Sequence, residues 1–281
     1  MGNISLGLNL EFSRANSGSL RWALDQAAEI GYAYVEPMAH WGRELLSAAG
    51  YFHSISLLED PLEIRSEVEQ RGLRVSSLSC NAPLAKPDVA VDYLRQGIRF
   101  AQELGAPMIM VDDGPMPAWT SDAQNETLMT YTLTEALRVA ERRGMRIGVE
   151  THGDYTATPE RIRRLQQLVP SDAMTINLDT GNAYLSENDP AAWLEELLPQ
   201  TVHIHAKDIA PADAAHYRGR VRGMLGTACG SGVLDWDRML RTLAAGPNDV
   251  VVSVECASVA DARASFEHLN GLLAAHATEA S

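Results

Sequence analysis

The sequence has few cysteines, no long apolar run and too few basic residues to balance its acidic ones. Its 281 residues include three cysteines, an odd number that fits a reducing cytosol better than a disulfide framework. No apolar run approaches the length of about 18 residues that can span a membrane. The first ten residues lack a basic segment followed by an apolar one, so no secretory signal is indicated. These absences predict a cytoplasmic protein.

The shortage of positive charge also narrows the class of partner. The formal net charge is −14 at pH 7. Nucleic acids and anionic membranes are themselves polyanions, and a strongly acidic protein surface repels them. We therefore predict a small-molecule ligand, with neither nucleic acid nor membrane as a partner.

Strand-like and helix-like segments alternate from one end of the chain to the other. β-Branched and apolar runs predict eight strands, at 4–10, 33–38, 73–80, 107–114, 146–153, 174–182, 201–208 and 250–256. Amphipathic segments between and after them predict eight helices, at 19–31, 61–72, 89–105, 122–144, 159–169, 190–198, 234–246 and 258–277.

Strict alternation of eight strands with eight helices predicts an α/β fold, a single (β/α)8 TIM barrel that spans residues 1–281 as one domain. A doubly wound open sheet is the structural alternative. It is disfavoured because no Gly-x-Gly-x-x-Gly motif follows any strand. Polar residues also end many strands, rather than the few beside one switch point of an open sheet.

The last four predicted strands each end in a side chain that can bind a metal ion. These side chains are Glu150, Asp179, His205 and Glu255. In a barrel, the carboxyl ends of neighbouring strands meet at one rim, so the carboxylates and the imidazole should converge there. Hard oxygen ligands with one imidazole suit Mn²⁺ best, with Mg²⁺, Co²⁺ or Zn²⁺ as alternatives. For each residue alone, a helix cap or an ordinary ion pair is the competing explanation.

A cation at that rim would polarise the carbonyl of a keto-sugar and make a proton on the neighbouring carbon acidic. Glu150 and Glu255 are the natural pair to move that proton on the two faces of the sugar. His152 lies two residues after Glu150 and points to the same side of the strand, so it is a further proton carrier unless it is held in the rim wall. Lys207 either contacts a substrate hydroxyl or enolate, or pairs with a strand-end carboxylate.

Further polar residues at the predicted rim are candidates for binding the substrate. In the loop HYRGRVRG, Arg218 would bind a substrate oxygen, phosphate or carboxylate, and its alternative is a solvated charge. Asp112 would lie on the far wall of the pocket. The candidate substrate-binding residues are Asn182, Asp208, Arg218, Glu36 and His53.

Four motifs resemble one known family over essentially the whole chain. They are GVETH with Glu150, NLDTGN with Asp179, HIHAKD with His205 and VSVEC with Glu255. The chain thereby resembles the xylose isomerase-like TIM barrels, the sugar phosphate isomerase/epimerase superfamily. The resemblance implies that these four residues bind a divalent metal and that the first and last Glu perform acid–base chemistry. The family's sugar epimerases usually carry His three residues after the metal-binding Asp, where this chain has Asn182, which cannot carry a proton at neutral pH.

The resemblance leads to a hypothesis about function and to several alternatives. The leading hypothesis is a sugar isomerase or epimerase that works through an enediolate. The main alternative is a lyase that performs β-elimination, of the dehydratase or C-glycoside deglycosidase type, and segment 39–64 resembles the metal-bearing subunits of the latter. An apurinic-endonuclease-like phosphodiesterase is a remote alternative, because the early strands offer few extra metal ligands. A non-catalytic binding subunit, a homo-oligomer and a second, different subunit all stay open.

Overall fold

Parallel strands form a ring in this protein, as seen in a computed structural model that describes residues 2–40, 54–153, 155–220, 223–224 and 226–279. Every ladder between its named strands is parallel. The described strands are β1 (Ile4–Asn9), β2 (Tyr34–Glu36), β3 (Met38–His40), β4 (Ser54–Ser56), β5 (Arg74–Val75), β6 (Leu78–Ser79), β7 (Met108–Val111), β8 (Arg146–Glu150), β9 (Met174–Asp179), β10 (Thr201–Ala206) and β11 (Val250–Val254).

The strands pair in the order β4-β3-β6-β7-β8-β9-β10-β11-β1-β2-β5. The order closes into a ring because two of the barrel strands are each interrupted. Strands β2 and β3, on either side of Pro37, form one barrel strand, and β5 and β6 form the next. β2 pairs with β5, and β3 pairs with β6. The ring therefore has eight barrel strands: β1, β2 with β3, β5 with β6, and then β7 to β11. The predicted (β/α)8 TIM barrel is confirmed. The interruptions in the second and third barrel strands, and the extra strand β4 beside β3, go beyond the prediction.

Helices follow the barrel strands, and all eight predicted helices are present. The described helices are α1 (Phe12–Ala15), α2 (Leu20–Ile30), α3 (Pro61–Glu69), α4 (Pro87–Leu104), α5 (Asp122–Arg142), α6 (Pro159–Leu168), α7 (Thr180–Leu185), α8 (Pro190–Leu197), α9 (Pro211–Tyr217), α10 (Trp236–Ala245) and α11 (Val259–Glu279). The short helices α1, α7 and α9 are additional to the prediction.

Local capping explains where the predicted helices begin and end. At the start of α2, Ser19 Oγ accepts a hydrogen bond from the Trp22 backbone N–H. The same helix ends at Gly31, whose φ of 110° lies in the left-handed region that favours glycine. Among the helices that the structure describes, none has both the length and the apolar composition needed to cross a membrane.

Polar side chains cross the interior of the barrel, whereas the main apolar core lies between the strands and the helices. The imidazole of His203 on β10 is completely buried. Its Nε2 lies 3.2 Å from Ser76 Oγ on the third barrel strand, and its Nδ1 lies 3.1 Å from Asn177 Oδ1 on β9. Residues two apart share a face of a strand, so this polar layer lies directly beneath Asp179 and His205 at the rim.

Candidate metal and active site

Three carboxylates and one imidazole converge at the carboxyl ends of the last four barrel strands. Glu150 ends β8, Asp179 ends β9, His205 lies in β10 and Glu255 follows β11. One ligand atom of each lies within 4.8 Å of those of the others, and all four side chains are buried. His205 Nδ1 is 3.3 Å from Glu150 Oε1 and 3.4 Å from Glu255 Oε2. The structure thus brings the four predicted ligands together.

The chemistry of this cluster fits a divalent cation. His205 Nδ1 is buried and makes no hydrogen bond with any described residue, although carboxylate oxygens surround it. Burial alone would lower the pKa of His205, but the Glu36 and Glu150 carboxylates outweigh it and raise that pKa well above its ordinary value. Buried carboxylates at this density are costly without a counter-charge. A cation held by the four side chains would supply that charge.

Glu36 holds the histidine rather than facing a substrate, which corrects the prediction for this residue. It is completely buried, and its Oε2 lies 2.9 Å from His205 Nε2. Ser77 Oγ donates to its Oε1 at 2.8 Å, and Ser253 Oγ donates to its Oε2 at 2.9 Å. Although burial opposes it, the charges of His205 and His203 lower the pKa of Glu36 to about 2. A carboxylate behind a ligating histidine fixes its tautomer and orientation, so Nδ1 is directed at the metal position.

Lys207 lies inside the cluster and is 1% exposed. Its Nζ is 3.0 Å from Asp179 Oδ2 and 2.6 Å from Glu255 Oε1. Burial would lower the pKa of Lys207, but these two carboxylates outweigh burial and raise it, so the ammonium form persists. Burial raises the pKa of Glu255, and the ammonium opposes that shift. Of the two predicted roles for Lys207, the ion pair is the one that the geometry shows.

Asn182 also supports a ligand, and its hydrogen-bonding groups are occupied. Its backbone N–H donates to Asp179 Oδ1 at 2.8 Å, and its Nδ2 donates to Asp179 Oδ2 at 2.7 Å. Its Oδ1 accepts the Gly223 backbone N–H at 2.9 Å. The side chain is completely buried. Asn182 therefore orients Asp179, and the predicted contact with substrate is replaced by this role.

The model of the family described as xylose isomerase-like TIM barrel matches residues 24–272. The chain belongs to the xylose isomerase-like TIM barrel family. It is 27% identical over 208 residues to an inosose dehydratase of Yersinia enterocolitica, which is 66% of this chain and 70% of that relative. It is 30% identical over 155 residues to a 2-epi-5-epi-valiolone 7-phosphate 2-epimerase of an Actinoplanes species, which is 53% of this chain and 56% of that relative.

Solved structures of the xylose isomerase-like fold superpose on nearly the whole chain. A D-tagatose 3-epimerase-like protein superposes with a TM-score of 0.79 at 21% identity, over 99% of this chain and all of the other. The IOLI protein, solved with a bound zinc atom, superposes with a TM-score of 0.69 at 17% identity, over 96% of each chain. At these identities the likeness establishes the shared fold.

In this xylose isomerase-like barrel, Asp208 anchors a rim loop. Its completely buried carboxylate accepts hydrogen bonds from four backbone N–H groups and one indole. The donors are Ile209 N, Gly230 N, Gly232 N, Leu234 N and Trp236 Nε1. Because both of its oxygens accept hydrogen bonds from the loop, Asp208 does not face a substrate, which corrects the third of the predicted contacts.

Asp113 plays the same part on the other side of the barrel, and its role was not predicted from the sequence. Its buried carboxylate accepts hydrogen bonds from the backbone N–H groups of Tyr155 and Thr156 and from Thr156 Oγ1. The loop after β8 is thereby fixed beside Glu150. The sequence offered one indication of this role, namely an aspartate that comes after a buried strand and before a glycine. Many unrelated turns have the same pattern.

His152 lies at the mouth beside Glu150 and is partly exposed. Its Nδ1 is 3.5 Å from Asp112 Oδ2. Burial raises the pKa of Asp112 to about 7, and the Glu150 carboxylate adds to that shift. Burial would lower the pKa of His152, but Glu150 and Asp112 outweigh it and raise that pKa. The sequence predicts Asp112 on the far wall of the pocket, and in the structure its carboxylate pairs with His152.

Two predicted contacts remain, Arg218 and His53. Arg218 is exposed, and its guanidinium carbon lies 4.4 Å from the centroid of the Tyr184 ring, so it stacks on that aromatic side chain. His53 lies outside the residues that the structure describes.

Proposed function

We propose that this xylose isomerase-like protein is a divalent-metal-dependent enzyme that removes a proton from the carbon next to the ketone of a sugar or cyclitol. The observation that carries the proposal is the buried His205 Nδ1, which makes no hydrogen bond with any described residue and clusters with three buried carboxylates. The relatives support this class of substrate, because one is an inosose dehydratase and another is a valiolone phosphate epimerase.

Glu150, Asp179, His205 and Glu255 would hold the cation, which when bound polarises the ketone oxygen and acidifies the neighbouring C–H bond. Three carboxylate ligands favour Mn²⁺, and the zinc atom in the structurally similar IOLI protein supports Zn²⁺ as an alternative. Behind these ligands, Glu36 keeps His205 Nδ1 directed inward, and Asn182 keeps both oxygens of Asp179 in place.

Glu150 is the residue that we assign as the base. Its Oε1 is 3.3 Å from His205 Nδ1. Although burial opposes it, the charge of His205 lowers the pKa of Glu150 to about 2, so the carboxylate is ionised, as a base must be. Glu255 differs, because its Oε1 is 2.6 Å from the Lys207 ammonium and its Oε2 faces His205 Nδ1. The sequence predicts Glu150 and Glu255 as an equivalent pair of proton carriers, but the contacts of their carboxylates differ.

The difference between the contacts of Glu150 and Glu255 favours β-elimination over epimerisation. Epimerisation by two opposed bases needs an unoccupied proton carrier on each face of the substrate. Syn elimination uses a base and an acid on the same face of the substrate, and His152 lies at the mouth close enough to Glu150 for that carboxylate to raise its pKa. Glu150 would take the proton, His152 would donate a proton to the leaving hydroxyl, and water would depart. The C–H and C–O bonds break, and a C=C bond forms beside the ketone.

Epimerisation or isomerisation is the second candidate. Glu150 and Glu255 lie at nearly equal distances from His205 Nδ1, 3.3 and 3.4 Å, so two carboxylates adjoin the metal position. This reaction would require Lys207 to release Glu255 when substrate binds. The epimerase relative supports it as well.

A phosphodiesterase with several zinc ions has little support from the described residues. A second group of conceivable ligands consists of Glu36, His203 and His205. However, both ring nitrogens of His203 already contact Ser76 and Asn177, and His205 Nε2 contacts Glu36. Because these atoms already have partners, the group holds the first metal site in place and does not form a second metal site.

The experiment is to incubate the Mn²⁺-loaded protein in deuterated water with neutral keto-sugars, inososes and 3-keto-glycosides. Elimination should produce an unsaturated ketone, seen by ultraviolet absorbance, whereas epimerisation should produce a deuterated epimer, seen by NMR. EDTA should abolish turnover, and Mn²⁺ should restore it. Turnover that survives removal of the metal would contradict the proposal, as would a fully loaded protein that processes no member of the panel.

A further inference from the structure

We propose that Lys207 is a counter-cation built into the metal site, which neutralises Asp179 and Glu255 in the metal-free protein and weakens the binding of the metal. This inference rests on the metal site proposed above. It concerns a property of the site, its affinity for the ion, that can be measured without any substrate.

The position of the ammonium is fixed by its contacts with two of the four ligands. Lys207 Nζ lies 3.0 Å from Asp179 Oδ2 and 2.6 Å from Glu255 Oε1, and the side chain is 1% exposed. Both carboxylates are therefore paired before any ion arrives. Without Lys207, these two buried carboxylates would lack their nearest positive charge, and unpaired buried charges are strongly destabilising.

The stem of the side chain has a slot of its own between two glycines. A Cβ atom on Gly181 would lie 2.6 Å from Lys207 Cγ and 2.7 Å from its Cδ, and a Cβ atom on Gly226 would lie 2.8 Å from the same Cγ. The backbone N–H of Lys207 donates to Thr180 Oγ1 at 3.1 Å. Because the stem is enclosed in this way, the ammonium stays beside the ligands when a metal binds.

The choice of lysine is itself unusual in this chain. Of its 23 lysines and arginines, two are lysines, Lys86 and Lys207. The Lys207 ammonium is a compact point charge on a slender stem, unlike the planar guanidinium of arginine. The site therefore uses the basic residue that can be enclosed and still reach two carboxylates.

A metal ion and the Lys207 ammonium would share Asp179 and Glu255, so their charges repel each other over a short, poorly screened distance. Replacing Lys207 by an uncharged residue should therefore have two effects of opposite sign. The metal-free protein should become less stable, because two carboxylates lose their partner. The affinity for the metal should increase, because a competing positive charge has been removed.

The test compares the wild type with Lys207→Met, which keeps the length of the stem, and with Lys86→Met, a matched control at the start of α4. Mn²⁺ affinity is measured by calorimetry, and Tm is measured with and without Mn²⁺. For Lys207→Met we expect the affinity to rise on the order of tenfold or more, while the metal-free Tm falls. The control should match the wild type in both measurements.

The outcomes separate this inference from the proposed function. If Lys207→Met binds Mn²⁺ no more tightly than the wild type, Lys207 only positions the ligands and the inference is wrong. If the wild type itself binds no divalent ion, the proposed function fails first. Should Lys207→Met fold only in the presence of Mn²⁺, release of the ion into a chelator replaces calorimetry; slower release than from the wild type supports the inference, and equal or faster release contradicts it.

Discussion

The two halves of the barrel contribute differently to the site. The second half, from β8 to β11, provides all four proposed metal ligands. The first half provides residues that hold a ligand or a rim loop, such as Glu36 on β2 and Asp113 after β7. A carboxylate at the end of a barrel strand is therefore weak evidence for a ligand. The better criterion is which side of His205 the carboxylate lies on, because Glu150 and Glu255 lie beside its Nδ1 whereas Glu36 contacts its Nε2 from behind.

The largest effect is expected in the second half, from Glu150→Gln. An amide cannot accept the proton, so the rate should fall about 10²–10⁴-fold, the usual contribution of a general base. Glu255→Gln should instead lower the affinity for Mn²⁺ and retain proton transfer once the metal is saturating. Initial rates at saturating Mn²⁺ distinguish the two variants. If both variants lose the same amount of rate, the two glutamates act as an equivalent pair of proton carriers, which would favour epimerisation.

The next largest effect is a loss of stability, expected when either of the two aspartates that anchor rim loops, Asp208 in the second half and Asp113 in the first, is replaced. Asp208→Ala removes the acceptor for five hydrogen bonds and should lower the free energy of unfolding by about 3 kcal/mol or more, because several buried donors lose their partner. Asp113→Ala removes the acceptor for three and should cost less. Urea denaturation measures both. A larger loss for Asp113→Ala would show that the number of bonds does not rank the anchors.

A smaller effect is expected in the first half, from Glu36→Gln. The amide no longer fixes the tautomer of His205, so the affinity for Mn²⁺ should fall about 10–100-fold. Calorimetry measures the affinity, and Glu29→Gln, an exposed glutamate on α2, is the matched control. If the Michaelis constant for substrate changes in Glu36→Gln while the affinity for Mn²⁺ does not, Glu36 contacts the substrate after all.

The smallest effect is expected from Arg218→Ala. The stacking of its guanidinium on Tyr184 at an exposed position is worth about 0.5–1 kcal/mol, so the Michaelis constant should change less than about fivefold. Steady-state kinetics measure the change. Tyr184→Leu is the partner control, since it removes the same contact from the other side. A roughly hundredfold weaker apparent affinity for substrate in Arg218→Ala alone would place this arginine in the substrate site.

The sequence was sufficient to predict the order of strands and helices and the convergence of Glu150, Asp179, His205 and Glu255. Both follow from local patterns, namely buried runs that end in one polar residue. The sequence was insufficient for Glu36, whose partners Ser77, His205 and Ser253 are 41, 169 and 217 residues away. No local pattern contains that information.

The same limit applies to polar residues next to a predicted ligand. Asn182 and Asp208 both follow a strand end closely, and both were predicted to contact the substrate. Their hydrogen bonds to Gly223 and to residues 230–236 depend on how a distant loop folds back. For Lys207 the sequence left two roles open, and the slot between Gly181 and Gly226 that distinguishes them forms only in the folded chain.

The hydrogen bonds that meet at Glu36 link the second, third, seventh and eighth barrel strands. Closure of the barrel and orientation of the His205 imidazole therefore depend on the same hydrogen bonds. The four ligands alone would not reproduce the site in another protein. Transplanting the four ligands onto an unrelated barrel would have to bring Glu36, Ser77 and Ser253 with them. A fragment that carries β8 to β11 alone would hold its carboxylates around a histidine with nothing to orient it.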